Sequence, residues 1–206
     1  MLVNINKNYN RFNLNFGALN PSVSQAVENN VINRRNFVPT PENIADEMVY
    51  QADIQPCDKV LEPSAGQGHI IKRIHAKKPY MSVDAVEKHP VLFNELQYKS
   101  GINAIGQDIL EYNPGNIYDK IIMNPPFNNG NPIKHGLHCF HKLLKNGGTL
   151  VAIMPNYVLE FQNKFLDLIN AQPMLSKVID LAEEAFLDSD LPAKVKTSIV
   201  ILKKPK

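Results

Sequence analysis

The sequence predicts an α/β fold, a seven-stranded mixed sheet with helices on both faces and an antiparallel last strand. Three observations carry this expectation. Short apolar runs alternate with amphipathic segments of helical period from residue 37 onward. The first three runs each lead into an acid, Glu62, Glu87 or Asp108, as strands do when their carboxyl ends face a ligand. The last two runs, Lys177 to Leu181 and Thr197 to Leu202, lie within about 20 residues with no helical pattern between them, which calls for an antiparallel pair.

The 206 residues suffice for one full core, with 44% apolar and 20% charged residues, ordinary for a globular chain. A net charge of +2 is too small to mark a nucleic-acid binder, so such affinity needs a local cluster. Cys57 and Cys139 are too few for a disulfide framework and fit a reducing cytoplasm. No apolar run reaches bilayer length, and Met1 to Asn15 carries no signal-peptide core. The expected location is cytoplasmic, with no membrane partner.

Residues 1–36 read as an N-terminal arm ahead of a domain spanning 37–206. Asn recurs at Asn4, Asn6, Asn8, Asn10, Asn13, Asn15 and Asn20, interleaved with Tyr9, Phe12, Phe16, Lys7, Arg11, Arg34 and Arg35. A short helix is expected around Ser22 to Val31. The arm either touches nucleic acid through its basic and aromatic residues or is an ordinary extension packed on the core, the commoner case. Phe37-Val38-Pro39-Thr40-Pro41 then opens a helix, with Thr40 as N-cap, Pro41 as first helical residue and Ile44, Met48 and Val49 on the apolar face.

After the turn Pro56 to Asp58, a strand beginning Lys59-Val60-Leu61 enters Glu62-Pro63-Ser64-Ala65-Gly66-Gln67-Gly68-His69, and a helix follows to Lys77. Small residues let a backbone approach a ligand, and a helix N-terminus offers free N–H groups. Val83 to Val86 form the second strand. Glu87, about 20 residues past the turn, stands where a carboxylate grips ribose hydroxyls, of NAD as well as of other adenosine cofactors. A helix over Pro90 to Lys99 buries Val91, Leu92 and Leu96. The third strand, Ala104 to Gln107, ends at Asp108 and Ile109, an acceptor for an adenine amino group beside an apolar neighbour; the plainer reading of either acid is a solvated strand end.

The fourth run, Tyr118 to Met123, with Ile121-Ile122-Met123 as its strand, stops at Asn124-Pro125-Pro126-Phe127. Proline lacks a backbone donor and forces the preceding residue into an extended conformation, so Asn124 is held at the strand end with acceptors to spare. Phe127, in a segment expected to be exposed, offers a flat ring. The pair suits a planar ligand bearing an exocyclic amino group, or else is a rigid turn.

Ile133 to Lys145 read as a helix burying Leu137, Phe140 and Leu144 and closed by Asn146-Gly147-Gly148. His135, His138 and His141 beside Cys139 read as its polar face rather than as a metal site. Thr149 to Met154 form the fifth strand, Phe161 to Ile169 a helix, and the two closing strands follow. The basic tail Lys203 to Lys206 binds phosphate or is simply solvated.

Taken together, these motifs resemble the class I S-adenosylmethionine-dependent methyltransferases, and among them the N6-adenine DNA methyltransferases. Asn124 to Phe127 match the family's [N/D/S]-P-P-[F/Y/W] motif, Glu62 to Gly68 its [D/E]-P-x-x-G-x-G turn, and Phe37 to Pro41 its leading Thr-Pro segment. The order of these motifs is similar to the gamma group. The resemblance covers residues 36 to 204.

It implies a Rossmann-like domain, S-adenosylmethionine as cofactor, and methyl transfer to the N6 amino group of adenine in DNA. It places Ser64, Ala65, Gly66 and Gly68 along the methionine part of the cofactor, Glu62 near its amino group, and Thr40 and Pro41 near its carboxylate. It puts Glu87 with Lys88 at the ribose, Asp108 at the adenine amino group, and Ile109 and Phe37 beside the ring. Asn124 and the carbonyl of Pro125 would accept from the target amine, with Pro126 stiffening the loop and Phe127 stacking on the base. No metal is implied. A duplex substrate would need its base flipped.

Members that read a specific sequence usually carry a further recognition domain, and this chain has little length to spare. Recognition would fall to the arm, the Asn128 to Pro132 loop, the Asp188 to Lys196 loop, or a second subunit or homodimer. Ribosomal RNA base methylation and protein glutamine N5-methylation share the tetrapeptide. A binding module without turnover and an NAD oxidoreductase are the readings from other classes.

Overall fold

The computed structural model describes residues 38–182, 184–186 and 196–206. The expected arm, its helix, Phe37 and all of the Asp188 to Lys196 loop but Lys196 lie outside the described residues.

The chain runs α1 (Glu42–Ala52), β1 (Val60–Glu62), α2 (His69–Lys77), β2 (Val83–Val86), α3 (Pro90–Gln97), β3 (Ile102–Ile105) and β4 (Tyr118–Met123), then α4 (Asn131–His138) and a π-helical turn (Cys139–Leu143). β5 (Leu144–Pro155), α5 (Tyr157–Glu160), α6 (Lys164–Asn170), β6 (Ser176–Asp180) and β7 (Thr197–Lys203) complete it. The strands form one seven-stranded sheet in the order β3-β2-β1-β4-β5-β7-β6. Pairing is parallel from β3 to β5, and β7 is antiparallel to both β5 and β6. The expected mixed sheet with its antiparallel last strand is therefore present.

Alternation along the strands divides the core. Val60, Val83, Ala85, Ile122, Val151, Ile153, Ile199 and Ile201 pack with α1, α2 and Leu96 of α3. Their neighbours Leu61, Val86, Ile121, Met123, Leu150, Ala152, Met154, Val200 and Leu202 pack with Phe140, Leu143, Phe165 and Ile169 on the opposite face. Successive side chains of a strand point to opposite faces, so near-continuous apolar strands bury both. Ile44, Met48 and Val49 face inward as expected, whereas in α3 only Leu96 is buried and Val91 is exposed.

Several element boundaries differ from expectation. The helix after the tetrapeptide ends at Leu143, and Asn146-Gly147-Gly148 lies inside β5. There the β4–β5 register jumps from Tyr118↔Leu144 to Lys120↔Thr149, and Gly147 takes φ +77°. Glycine that reads as a helix stop is equally suited to an irregular step in a strand. The expected helix Phe161 to Ile169 starts later, as α6 from Lys164, and the short α5 lies ahead of it. Asn163 separates them, its side chain accepting from the N–H groups of Phe165 and Leu166 as an N-cap, which leaves Phe161 exposed. β6 begins and ends one residue early, at Ser176 and Asp180.

Candidate active site

The strand order turns between β1 and β4, and parallel neighbours there open their carboxyl ends to the same edge of the sheet. Val38, Thr40, Glu62, Ser64, Ala65, His69 and Asn124 line a crevice at that point. Ala65 is closed against β2 by its N–H to the Val86 carbonyl (3.0 Å), and Gly68 N–H donates to the Ala65 carbonyl (2.7 Å). Gly66 and Gly68 take φ +54° and +79°, a region only glycine enters without cost, and a Cβ on Gly68 would stand 3.3 Å from Leu96 Cδ2.

Asn124 is anchored by its amide nitrogen. Nδ2 donates to the Val38 carbonyl (3.2 Å) and to Thr40 Oγ1 (3.0 Å). A carbonyl only accepts, so the NH2 group must face Val38, and Oδ1 is turned away with no donor among the described residues. The sequence-based role of Thr40 as helix cap is corrected here. Pro41 occupies the cap position with no side-chain bond, α1 starts at Glu42, and the buried Thr40 hydroxyl serves Asn124 instead. The backbone of Pro41 sets the entry angle without a capping oxygen.

The tetrapeptide continues with Pro125 buried, Pro126 half-buried and Phe127 half-buried against the core. Phe127 is thus less exposed than its polar neighbours suggested. Its carbonyl accepts from the Tyr157 hydroxyl (3.0 Å), a loop anchor from α5 that the sequence reading missed. The adjacent Asn156-Tyr157 carries no periodic signal that points to it.

The three acids differ sharply in setting. Glu62 ends β1, is 2% exposed, and its Oε2 has no partner among the described residues. Burial pushes its carboxyl well above the usual carboxylate range, against the Ile71 N–H, and the charge of Glu87 pushes the same way. Glu87 follows β2 and is engaged twice, accepting from Gly66 N–H (2.8 Å) and from His89 N–H (2.7 Å). Asp108 lies three residues beyond β3, which ends at Ile105, earlier than expected. Burial acts to raise its carboxyl, but the Leu110 N–H and Lys88 prevail and hold it low, with Lys88 Nζ 3.3 Å from Oδ2. Lys88 is exposed and Ile109 is buried.

The expected polar face fails at His135, which is buried. The buried stripe of α4 and its π-helical turn is Pro132, His135, Gly136, Cys139, Phe140 and Leu143, a spacing of three and four residues. A wheel phased on Leu137 misses it, because Leu137 is only half-buried. His135 reaches the cofactor-type turn, with Nδ1 3.3 Å from Ser64 Oγ. Burial lowers its pKa to about 4, Asp108 opposing and Lys88 adding, so the ring is neutral at neutral pH. His138 Nε2 donates to the Tyr112 carbonyl (2.9 Å) and His141 is exposed. Among the described residues, no group of three or more His, Cys, Asp or Glu side chains is placed to hold a metal ion.

Residues 34–151 match the family model of ribosomal RNA adenine dimethylases. A tRNA1(Val) (adenine(37)-N6)-methyltransferase from Aliivibrio salmonicida is 34% identical over 93 residues, which are 41% of this chain and 40% of that protein. The chain thus spans half or less of the length of the curated relatives it matches. A protein of a type I restriction-modification system superposes with TM-score 0.65 at 19% identity, over 81% of this chain and 42% of the other. A dimethyladenosine transferase from Plasmodium falciparum gives TM-score 0.57 at 17% identity, over 82% and 63%. At such identities the likeness is one of fold, and that fold is the class I S-adenosylmethionine-dependent methyltransferase fold.

Proposed function

We infer, from the premise that the chain belongs to the ribosomal RNA adenine dimethylase family, that it methylates the N6 amino group of adenine in a polynucleotide. The observation that carries this is the anchoring of Asn124, whose two amide hydrogens are spent on Val38 and Thr40 while Oδ1 is left as an oriented acceptor. An adenine amine is a weak nucleophile because its lone pair is delocalised into the ring. An acceptor fixed at the strand end, joined by the Pro125 carbonyl, favours a pyramidal nitrogen whose lone pair is free for in-line attack. Phe127 covers the face of the base.

S-adenosylmethionine is the cofactor of this fold and family. The crevice fits it: Glu62 Oε2 is a buried acceptor without a donor among the described residues, and the Gly66–Gly68 turn brings bare backbone to the crevice wall. The cofactor supplies a methyl group made electrophilic by its sulfonium. Glu62 holds the amino group, Ser64 to Gly68 follow the methionine chain, Glu87 and Lys88 sit at the ribose, and Asp108 with Ile109 at the adenine. Thr40 borders both ligands. The catalytic unit is residues 37–206, and target selection falls to a second subunit or a second copy.

For the polymer, the motif order supports DNA, and the restriction-modification neighbour agrees with it at the level of fold. The family match and the tRNA-methylating relative favour RNA as a second reading. Tritiated methyl transfer offered in parallel to unmethylated DNA, tRNA, ribosomal RNA and protein separates them. Label in N6-methyladenine of a polynucleotide is expected; label in protein glutamine alone, or in none, defeats the proposal.

A further inference from the structure

The turn that follows β1 is held from two sides. On the sheet side, Ala65 N–H meets the Val86 carbonyl and Gly66 N–H meets Glu87. On the other side, Ser64 Oγ meets His135 Nδ1, 3.3 Å away and buried. His135 belongs to α4, whose first turn also closes the loop after the tetrapeptide: Asn131 N–H donates to the Asn128 carbonyl (2.9 Å) and Lys134 N–H to the Gly130 carbonyl (3.1 Å). The helix cannot move nearer to α6 and β5. A Cβ on Gly136 would stand 2.5 Å from the Phe165 ring and 3.1 Å from Met154 Cε, so α4 is already seated as closely as backbone permits. One side chain therefore spans from the segment that closes the base-facing loop to the turn that faces the methionine chain.

We propose that His135 is a positioning residue that sets the Ser64 hydroxyl for the methionine part of S-adenosylmethionine and ties the seating of that turn to the loop carrying Asn124 to Phe127. This rests on the cofactor reading above. A buried imidazole that merely filled space would be replaceable by an apolar ring of similar size. A positioning imidazole needs its nitrogen, because without it the Ser64 hydroxyl turns to whatever acceptor is nearest and the turn loses its outer tie. Since the ring is neutral, the tie is a hydrogen bond and adds no charge beside a cationic ligand.

The test is calorimetric titration of S-adenosylhomocysteine into wild type, His135→Phe, His135→Asn, Ser64→Ala and the His135→Phe/Ser64→Ala pair, with thermal melts of each. Asn can place its amide oxygen, which accepts as a ring nitrogen does, where Nδ1 stood. His135→Phe and Ser64→Ala are each expected to weaken binding about fivefold to tenfold, His135→Asn to stay within about twofold of wild type, and the double variant to be no weaker than the worse single one. Multiplying effects in the double variant, or unchanged binding in His135→Phe, overturns the proposal while leaving the cofactor reading intact. No binding by wild type overturns that reading and this one with it. If His135→Phe melts below the assay temperature, Ser64→Ala against Ser64→Ala/His135→Asn decides: equal affinities support the tie, and a further loss overturns it.

Discussion

At the scale of single residues, the site depends on how Asn124 is oriented more than on which groups surround it. Removing the oriented acceptor costs transition-state stabilisation and leaves the cofactor's own contacts, so Asn124→Ala is expected to lower the single-turnover methylation rate by about 100- to 1000-fold. Its S-adenosylhomocysteine affinity by calorimetry stays within about threefold. Thr40→Val keeps shape but removes the acceptor for one amide hydrogen, and about a tenfold loss of rate is expected from it. A rate equal to wild type would detach Thr40 from the mechanism. Asn124 was legible because two prolines isolate it at a strand end. Thr40 was legible as a residue but not in its role: Thr before Pro reads as a helix cap, and only the tertiary meeting with a residue 84 positions away reassigns its hydroxyl.

At the scale of elements, α4 is positioned by the glycine that lets it approach α6. Gly136→Ala puts a methyl group into the Phe165 ring, an overpacking expected to cost about 1–3 kcal/mol, read as a fall in denaturant midpoint at constant m. Asn163→Ala removes the cap of α6 and is expected to cost about 1 kcal/mol, roughly 2–4 °C in Tm for a body of this size. A larger loss for Asn163→Ala than for Gly136→Ala would place the weak point of this layer at α6. The strands were legible because apolar runs bounded by proline, glycine and acids leave few other assignments. The helix α4 was legible in existence but not in phase. A glycine and a histidine occupy its buried stripe, and neither counts as apolar on a wheel, so the pattern pointed to Leu137. Gly147 misled for a related reason: a positive φ serves a helix end and an irregular strand alike, and only the partner strand decides.

At the scale of the whole molecule, the strand order places β1 beside β4, so the acid of one and the amide of the other share a crevice; the antiparallel end was legible from spacing, since a short link forbids a crossover, whereas that sharing was implied by the resemblance of the motifs. Two buried groups in this region titrate in opposite senses. For Glu62 the folded state favours the protonated form, so its contribution to stability is full below about pH 4.5, the unfolded value, and is lost as pH rises through the raised value. For His135 the folded state favours the neutral form, so its contribution is full above about pH 6.5 and is lost as pH falls toward about 4. If Glu62 receives the cofactor's ammonium group, the complex favours its ionised form. Binding then releases a proton and tightens as pH rises. S-adenosylhomocysteine at 100 times its Kd adds about 2.7 kcal/mol, roughly 5–11 °C in Tm at about 2–4 °C per kcal/mol. At a fixed ligand concentration that shift should grow as pH rises above the usual carboxylate range in wild type, and be smaller and flat in Glu62→Gln. Calorimetry in two buffers of different ionisation enthalpy measures the released proton directly. A pH-independent shift in wild type, or a proton released equally by Glu62→Gln, would move the ammonium site away from β1.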